Sequence, residues 1–135
     1  MNDSLIATPH PRHGFVGYRI PGDGSPHVRI PELFALHRGP FNQDTEAMTR
    51  HLALKHSRWI SMPTAVDPEG QCGCHGPDGR AGSVYIMRSE HGPDLRWAYL
   101  LDGPLLHVLR PDSDGWALAG VFPWDSPIWD AAPPS

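Results

Sequence analysis

Residues 95–110, LRWAYLLDGPLLHVLR, decide how the chain is read. Two apolar runs flank Asp102-Gly103, and Asp-Gly between hydrophobic segments is a strong local hairpin signal, because both residues tolerate the positive φ of a tight turn. With that dipeptide as a two-residue turn, Leu100 is predicted to oppose Leu105 and Trp97 to oppose Val108. Side chains alternate between faces along a strand. One face is then expected to carry Trp97, Tyr99, Leu101, Leu106, Val108, Trp116, Leu118 and Phe122. The other carries Ala98, Leu100, Leu105, His107, Leu109, Ala117, Ala119 and Val121. Both are mostly apolar, so the sheet is predicted to be covered on both sides, by a helix on one and by another element or a partner subunit on the other. A homodimer is the corresponding expectation.

Outward from the hairpin, 83–88, 95–101, 105–110 and 116–122 read as a C-terminal four-strand meander, separated by SEHGPD, Asp102-Gly103 and PDSDG. Residues 14–20 and 27–30 read as an N-terminal hairpin around the turn cluster PGDGSP. Pro31 suits the first position of a short helix over 31–38, stopped by Gly39-Pro40. The main helix is predicted over 43–56 with Asn42 as N-cap, since Asp44 and Glu46 fall in the first turn and Lys55, His56 and Arg58 near the end, matching the helix dipole. RWISM (58–62) reads as a strand closed by Pro63. The expected fold is α+β: an antiparallel sheet packed against one main helix, with barrel-like closure as a variant.

A chain of 135 residues makes one domain. Residues 1–13 are polar and aperiodic and read as a flexible N-terminal lead, and 14–122 as the folded domain. Within it, 63–82 hold three Pro and five Gly with almost nothing apolar, the composition of a long functional or disordered loop. Residues 123–135 form an acidic aromatic tail. No stretch approaches the ~20 apolar residues that span a bilayer, and the start lacks a basic and an apolar leader region, so the sequence reads as soluble and cytoplasmic. The net charge of −4 argues against nucleic-acid binding, which needs a basic surface. The charge is uneven: residues 1–60 carry seven basic and five acidic groups, and 61–135 carry four and ten, leaving +2 and −6. The first part could therefore hold a small anion.

Three constellations could carry chemistry. Cys72-Gly73-Cys74-His75 offers thiolates and an imidazole, ligands that suit zinc or iron. Its C-x-C-H spacing differs from paired zinc motifs and the chain has no third cysteine, so an ordinary loop is the primary expectation and a metal site the alternative. His51 and Lys55, four apart on the apolar face of the main helix, break its binary pattern. With His107 on a strand they define the enzyme alternative: His51 as acid/base and Lys55 holding a small anionic substrate or attacking a carbonyl, with metal assistance as an option. The common nucleotide-binding and nucleophile-elbow motifs are absent. The third constellation is aromatic. Five Trp, most of them beyond residue 96, favour a binding or accessory protein that meets a protein partner through Trp97, Tyr99 and Trp116 on the sheet and Trp124 and Trp129 in the tail.

Overall fold

The computed structural model describes residues 4–10, 14–20, 23–55, 59–61, 63–64, 67, 70–72, 84–86, 95–112 and 115–125. The fold is α+β. The sheet strands are β1 (Ser4–His10), β2 (Gly14–Ile20), β5 (Val84–Ile86), β6 (Trp97–Asp102), β7 (Leu105–Asp112) and β8 (Gly115–Pro123). They form one sheet in the order β5-β2-β1-β6-β7-β8. A separate ladder joins β3 (Trp59–Ser61) to β4 (Gln71–Cys72). The helical elements are α1 (Pro26–Arg38) and α2 (Thr45–Thr49), the latter running on into a π-helical stretch at Arg50–Lys55.

Several expectations are corrected. The sheet is open among the described residues, not a barrel, and it is mixed rather than antiparallel: Ser4–Ala7 of β1 lie parallel to Trp97–Leu100 of β6. Residues 4–10, read as part of a flexible lead, form an interior strand whose Leu5, Ile6 and Ala7 are fully buried. The N-terminal hairpin pairs β2 with β1 through Ser4↔Ile20 to His10↔Gly14, not with residues 27–30. β5 pairs with β2 and so leaves the C-terminal meander, which keeps three strands.

Residues 27–30 are helical because tertiary packing outweighs their local β preference. Pro26 stands at the helix start, where its missing N–H costs nothing, and the Ser25 carbonyl accepts from Val28 and Arg29 N–H at 3.0 and 2.8 Å. Ile30, Leu33, Phe34 and His37 then recur at helical spacing and are all buried. That buried face outweighs Pro31, which removes one helical hydrogen bond from the interior of α1. The second helix starts two residues later than predicted. Asn42 and Gln43 take positive φ, 49° and 64°, to turn the chain, and Asp44 is the N-cap, its carboxylate accepting from Ala47 N–H at 3.1 Å.

The 6–7 hairpin turns at Gly103-Pro104 rather than Asp102-Gly103, giving Asp102↔Leu105, Leu100↔His107 and Tyr99↔Val108. The predicted register is off by two residues, which leaves the faces unchanged. In the 7–8 pairing, Val108↔Gly120 is followed by Leu109↔Leu118, so Ala119 is an extra residue. This bulge reverses the parity of β8 and carries Trp116 to the face opposite the one predicted.

Both faces carry a buried core. On the helix side Ile6, Ile20, Tyr99, Leu101, Leu106 and Val108 meet Leu33, Phe34, Met48, Leu52 and Trp124. On the other, Leu5, Ala7, Phe15, Leu95, Ala98, Leu100, Leu109 and Trp116 form a second core. These side chains are buried within a single chain, whereas Leu118 and Val121 on the edge strand β8 are exposed. The Tyr99 hydroxyl donates to the Gly24 carbonyl, tying β6 to the entry of α1, and burial raises its pKa above the ordinary phenol value.

Gly17 lies opposite Ala7, and a Cβ there would stand 2.5 Å from Ala7 Cα and against the Ile6 carbonyl. Backbone atoms on neighbouring strands cannot yield as a side-chain tip could. Gly17→Ala is predicted to cost about 3 kcal/mol; urea unfolding should show a lowered midpoint at unchanged slope, and an unaltered midpoint would contradict the close approach.

Candidate functional site

The sequence-predicted residues that the structure describes fall in several parts of the fold. His51, half-buried in the π-helical stretch, has its ring 5.7 Å from that of Phe41. Lys55 ends that stretch. His107 is on β7 opposite Leu100, 3.7 Å from the Asp102 carboxylate. Neither His51 nor His107 lines either of the cavities described below. Tyr99 is fully buried, Trp116 is 7 % exposed and Trp124 4 %, while Trp97 packs, partly buried, against the helix-side core. These rings are core components first. Cys72 is in β4; Cys74, His75 and Trp129 lie outside the described residues, as do most of loop 63–82 and the tail beyond 125. Among the described residues no cluster of His, Cys, Asp and Glu could hold a metal ion.

A different place in the fold gathers polar groups. A cavity of about 500 Å³ lies where the end of α1, the start of α2, the 6–7 turn and the end of β8 meet. His37, Arg38, Gln43 and Thr45 come from the helical side; Gly103, Pro104 and Leu105 come from the turn, and Pro123, Trp124 and Asp125 from the end of β8. A second cavity of about 400 Å³ shares Thr45 and Gly103 with it and extends toward Thr8, Thr49 and Arg50.

The walls are fixed by specific contacts. Trp124 N–H donates to the Pro104 carbonyl at 3.1 Å, which closes the end of β8 onto the 6–7 turn. Arg38 Nη2 donates to the Trp124 carbonyl at 2.9 Å, and its guanidinium lies 5.3 Å from the centre of the Phe34 ring. The His37 imidazole stacks on the Trp124 indole, with centroids 4.3 Å apart and planes 8° from parallel. His37 Nε2 is 2.8 Å from Thr45 Oγ1. The turn between the helices is held by Gln43 N–H donating to the His37 carbonyl at 2.6 Å. Two buried polar atoms here, His37 Nδ1 and Trp124 Nε1, have no hydrogen-bond partner among the described residues. Such atoms cost about 1–3 kcal/mol each and are uncommon in folded interiors.

The sequence offered little warning of this site. His37 and Arg38 read as the end of a short helix and Thr45 as an unremarked first-turn residue. Eight residues separate His37 from Thr45 and 86 separate Arg38 from Trp124, so no local motif links them. Only Trp124, between Pro123 and Asp125, was named from the sequence, and there as a docking anchor in the tail.

No family model, no curated protein and no solved structure matches this chain. No helix among the described residues is long and apolar enough to cross a membrane. The functional reading therefore rests on the site itself.

Burial lowers the pKa of His37 below its ordinary 6.5, and the Arg38 guanidinium lowers it further, against a smaller opposing pull from Asp44. The unfolded chain thus binds more protons just below pH 6.5, so this contribution to stability is complete above that value and is lost as the pH falls through the folded-state pKa. Glu32 works in the opposite sense: burial raises its carboxyl above 4.5, so the folded state retains that proton and gains stability as the pH falls toward 4.5. His37→Phe keeps a flat ring against Trp124 while removing the titration. Urea unfolding of the native protein should show lower stability at pH 5.5 than at 7.5, and the variant a smaller difference; equal differences in the two proteins would exclude His37 as the cause.

Proposed function

We propose that the protein is a small, cytoplasmic binding protein whose ligand occupies the 500 Å³ cavity between the α1–α2 turn and the 6–7 hairpin. One observation carries the reading: polar side chains from three chain segments, Arg38, Gln43, Thr45 and Asp125 among them, converge on a cavity whose wall also holds the apolar Pro104, Leu105 and Pro123. Ligand sites in proteins have this composition, mostly apolar with a few placed polar groups, and volumes in this range. Arg38 and Asp125 put one cation and one anion in the wall. The ligand is accordingly a small polar molecule, with a carboxylate or amide facing Arg38 and Gln43 and an apolar part against Pro104, Leu105 and Pro123. In this reading Trp124 serves as wall and support rather than as a protein-docking anchor. We favour this cavity over the enzyme alternative because His51 lines neither cavity.

The test is a fragment screen by protein-observed NMR with small carboxylates and amides at millimolar concentration. Binding fragments should shift the Trp124 indole N–H and the Gly103 amide, and Leu105→Trp, which fills the cavity, should weaken them at least tenfold. Shifts confined to other parts of the chain, or affinities unchanged by Leu105→Trp, would refute the assignment.

A further inference from the structure

The contact between His37 and Thr45 has a chemical meaning beyond holding two helices together. We infer that Thr45 and His37 form a nucleophile–base pair, with Thr45 Oγ1 as acyl acceptor toward small, activated esters that enter the 500 Å³ cavity. The inference rests on that cavity being a ligand site. A hydroxyl becomes a competent nucleophile when a base takes its proton as the new bond forms, which requires the two atoms to be within hydrogen-bond reach. Thr45 Oγ1 and His37 Nε2 meet this at 2.8 Å. Both residues line the cavity, and Thr45 is only partly buried, so its oxygen can be approached while the base behind it is shielded.

A catalytic imidazole must also be held in one orientation. In hydrolytic triads an acid on the far ring nitrogen does this. Here the far nitrogen, Nδ1, has no hydrogen-bond partner among the described residues, and the orienting element is the indole of Trp124, parallel to the imidazole within 8°. In the tautomer with the proton on Nδ1, Thr45 donates to a free lone pair on Nε2, and burial together with Arg38 keeps the ring neutral and ready to accept. The backbone contributes as well. Positive φ at Asn42 and Gln43, both non-glycine, turns the chain so that Thr45 faces the helix that carries His37. Arg38 and Gln43 place N–H groups in the same wall, where charge would develop on the ester oxygen.

The step balances without a further reagent. Thr45 Oγ1 bonds to the ester carbonyl carbon as its proton passes to His37 Nε2. The bond to the leaving alkoxide or phenoxide then breaks, and that oxygen takes the proton from His37, leaving an acyl-threonine. Water attacks the same carbon, gives its proton to His37 and releases the carboxylic acid, with the proton returning to Thr45 Oγ1.

The experiment uses 4-nitrophenyl acetate as probe, following nitrophenolate release and locating the acetyl group by peptide mass mapping of the intact protein. The expected result is acetylation at Thr45, abolished in Thr45→Val, retained in Thr45→Ser and slowed about 100-fold in His37→Gln, the usual scale of a lost general base. Thr45→Ser guards against misreading a folding defect, because it restores the hydroxyl. Acetyl found on other residues with none on Thr45, or a rate on Thr45 indifferent to His37→Gln, overturns the inference. Fragments that shift Trp124 without any acylation of Thr45 would leave the binding site standing and remove its chemistry; acylation of Thr45 with no fragment bound would do the reverse.

Discussion

Between Ser4–Ala7 and Trp97–Leu100 a short parallel ladder joins the two antiparallel parts of the sheet, β5-β2-β1 on one side and β6-β7-β8 on the other. Thr8 adds a side-chain hydrogen bond to the Leu101 carbonyl at 3.3 Å along the same seam. Parallel neighbours cannot be joined by a tight turn, and the chain between these two first forms β2, the helical elements and β5. The connection from β2 to β5 carries α1 and α2, and their apolar side chains fill the helix-side core with Ile6, Tyr99 and Leu101. Without the β1–β6 seam neither the helical layer nor the second core, where Leu5 and Ala7 meet Ala98 and Leu100, would have a common floor.

The cavity is a by-product of how that layer ends. The end of α1 and the start of α2 fall over the 6–7 turn, and the end of β8 returns to the same point through Trp124. The 6–7 turn needs Gly103, whose φ of +56° is strained for other residues, although the open space around it would admit a side chain. The site therefore draws its groups from the rim of the sheet, where backbone turns leave volume, and not from the aromatic interior, which is spent on stability.

The C-terminal strands were legible because alternation of apolar residues and a glycine turn are local signals, and a register error of two residues does no harm to the faces. Trp116 was misplaced because a bulge at Ala119 leaves no mark in composition. Ser4–His10 was missed for a different reason: SLIATPH is short, ends in Pro-His and pairs in part with residues far along the chain, so its stability is wholly tertiary. Val28 and Ile30 pulled residues 27–30 toward a strand, while the helical spacing from Ile30 to His37 was available in the sequence and outweighed them. Most of the candidate site was illegible, since its polar groups come from segments that no spacing rule connects.

The seam between β1 and β6 also sets an order of events. Thr8 and Leu101 are separated by 93 residues, which at about 5–20 residues per second is roughly 5–20 s of synthesis. Through that interval β1 can pair with β2, but its other side has no strand to receive it. The nascent chain thus carries an apolar, half-satisfied hairpin until the hairpin of β6 and β7 emerges, the circumstance in which strand edges recruit foreign partners or chaperones. Assembly of this molecule waits on this long-range seam, and slow, late-closing folding on the ribosome is the expected result.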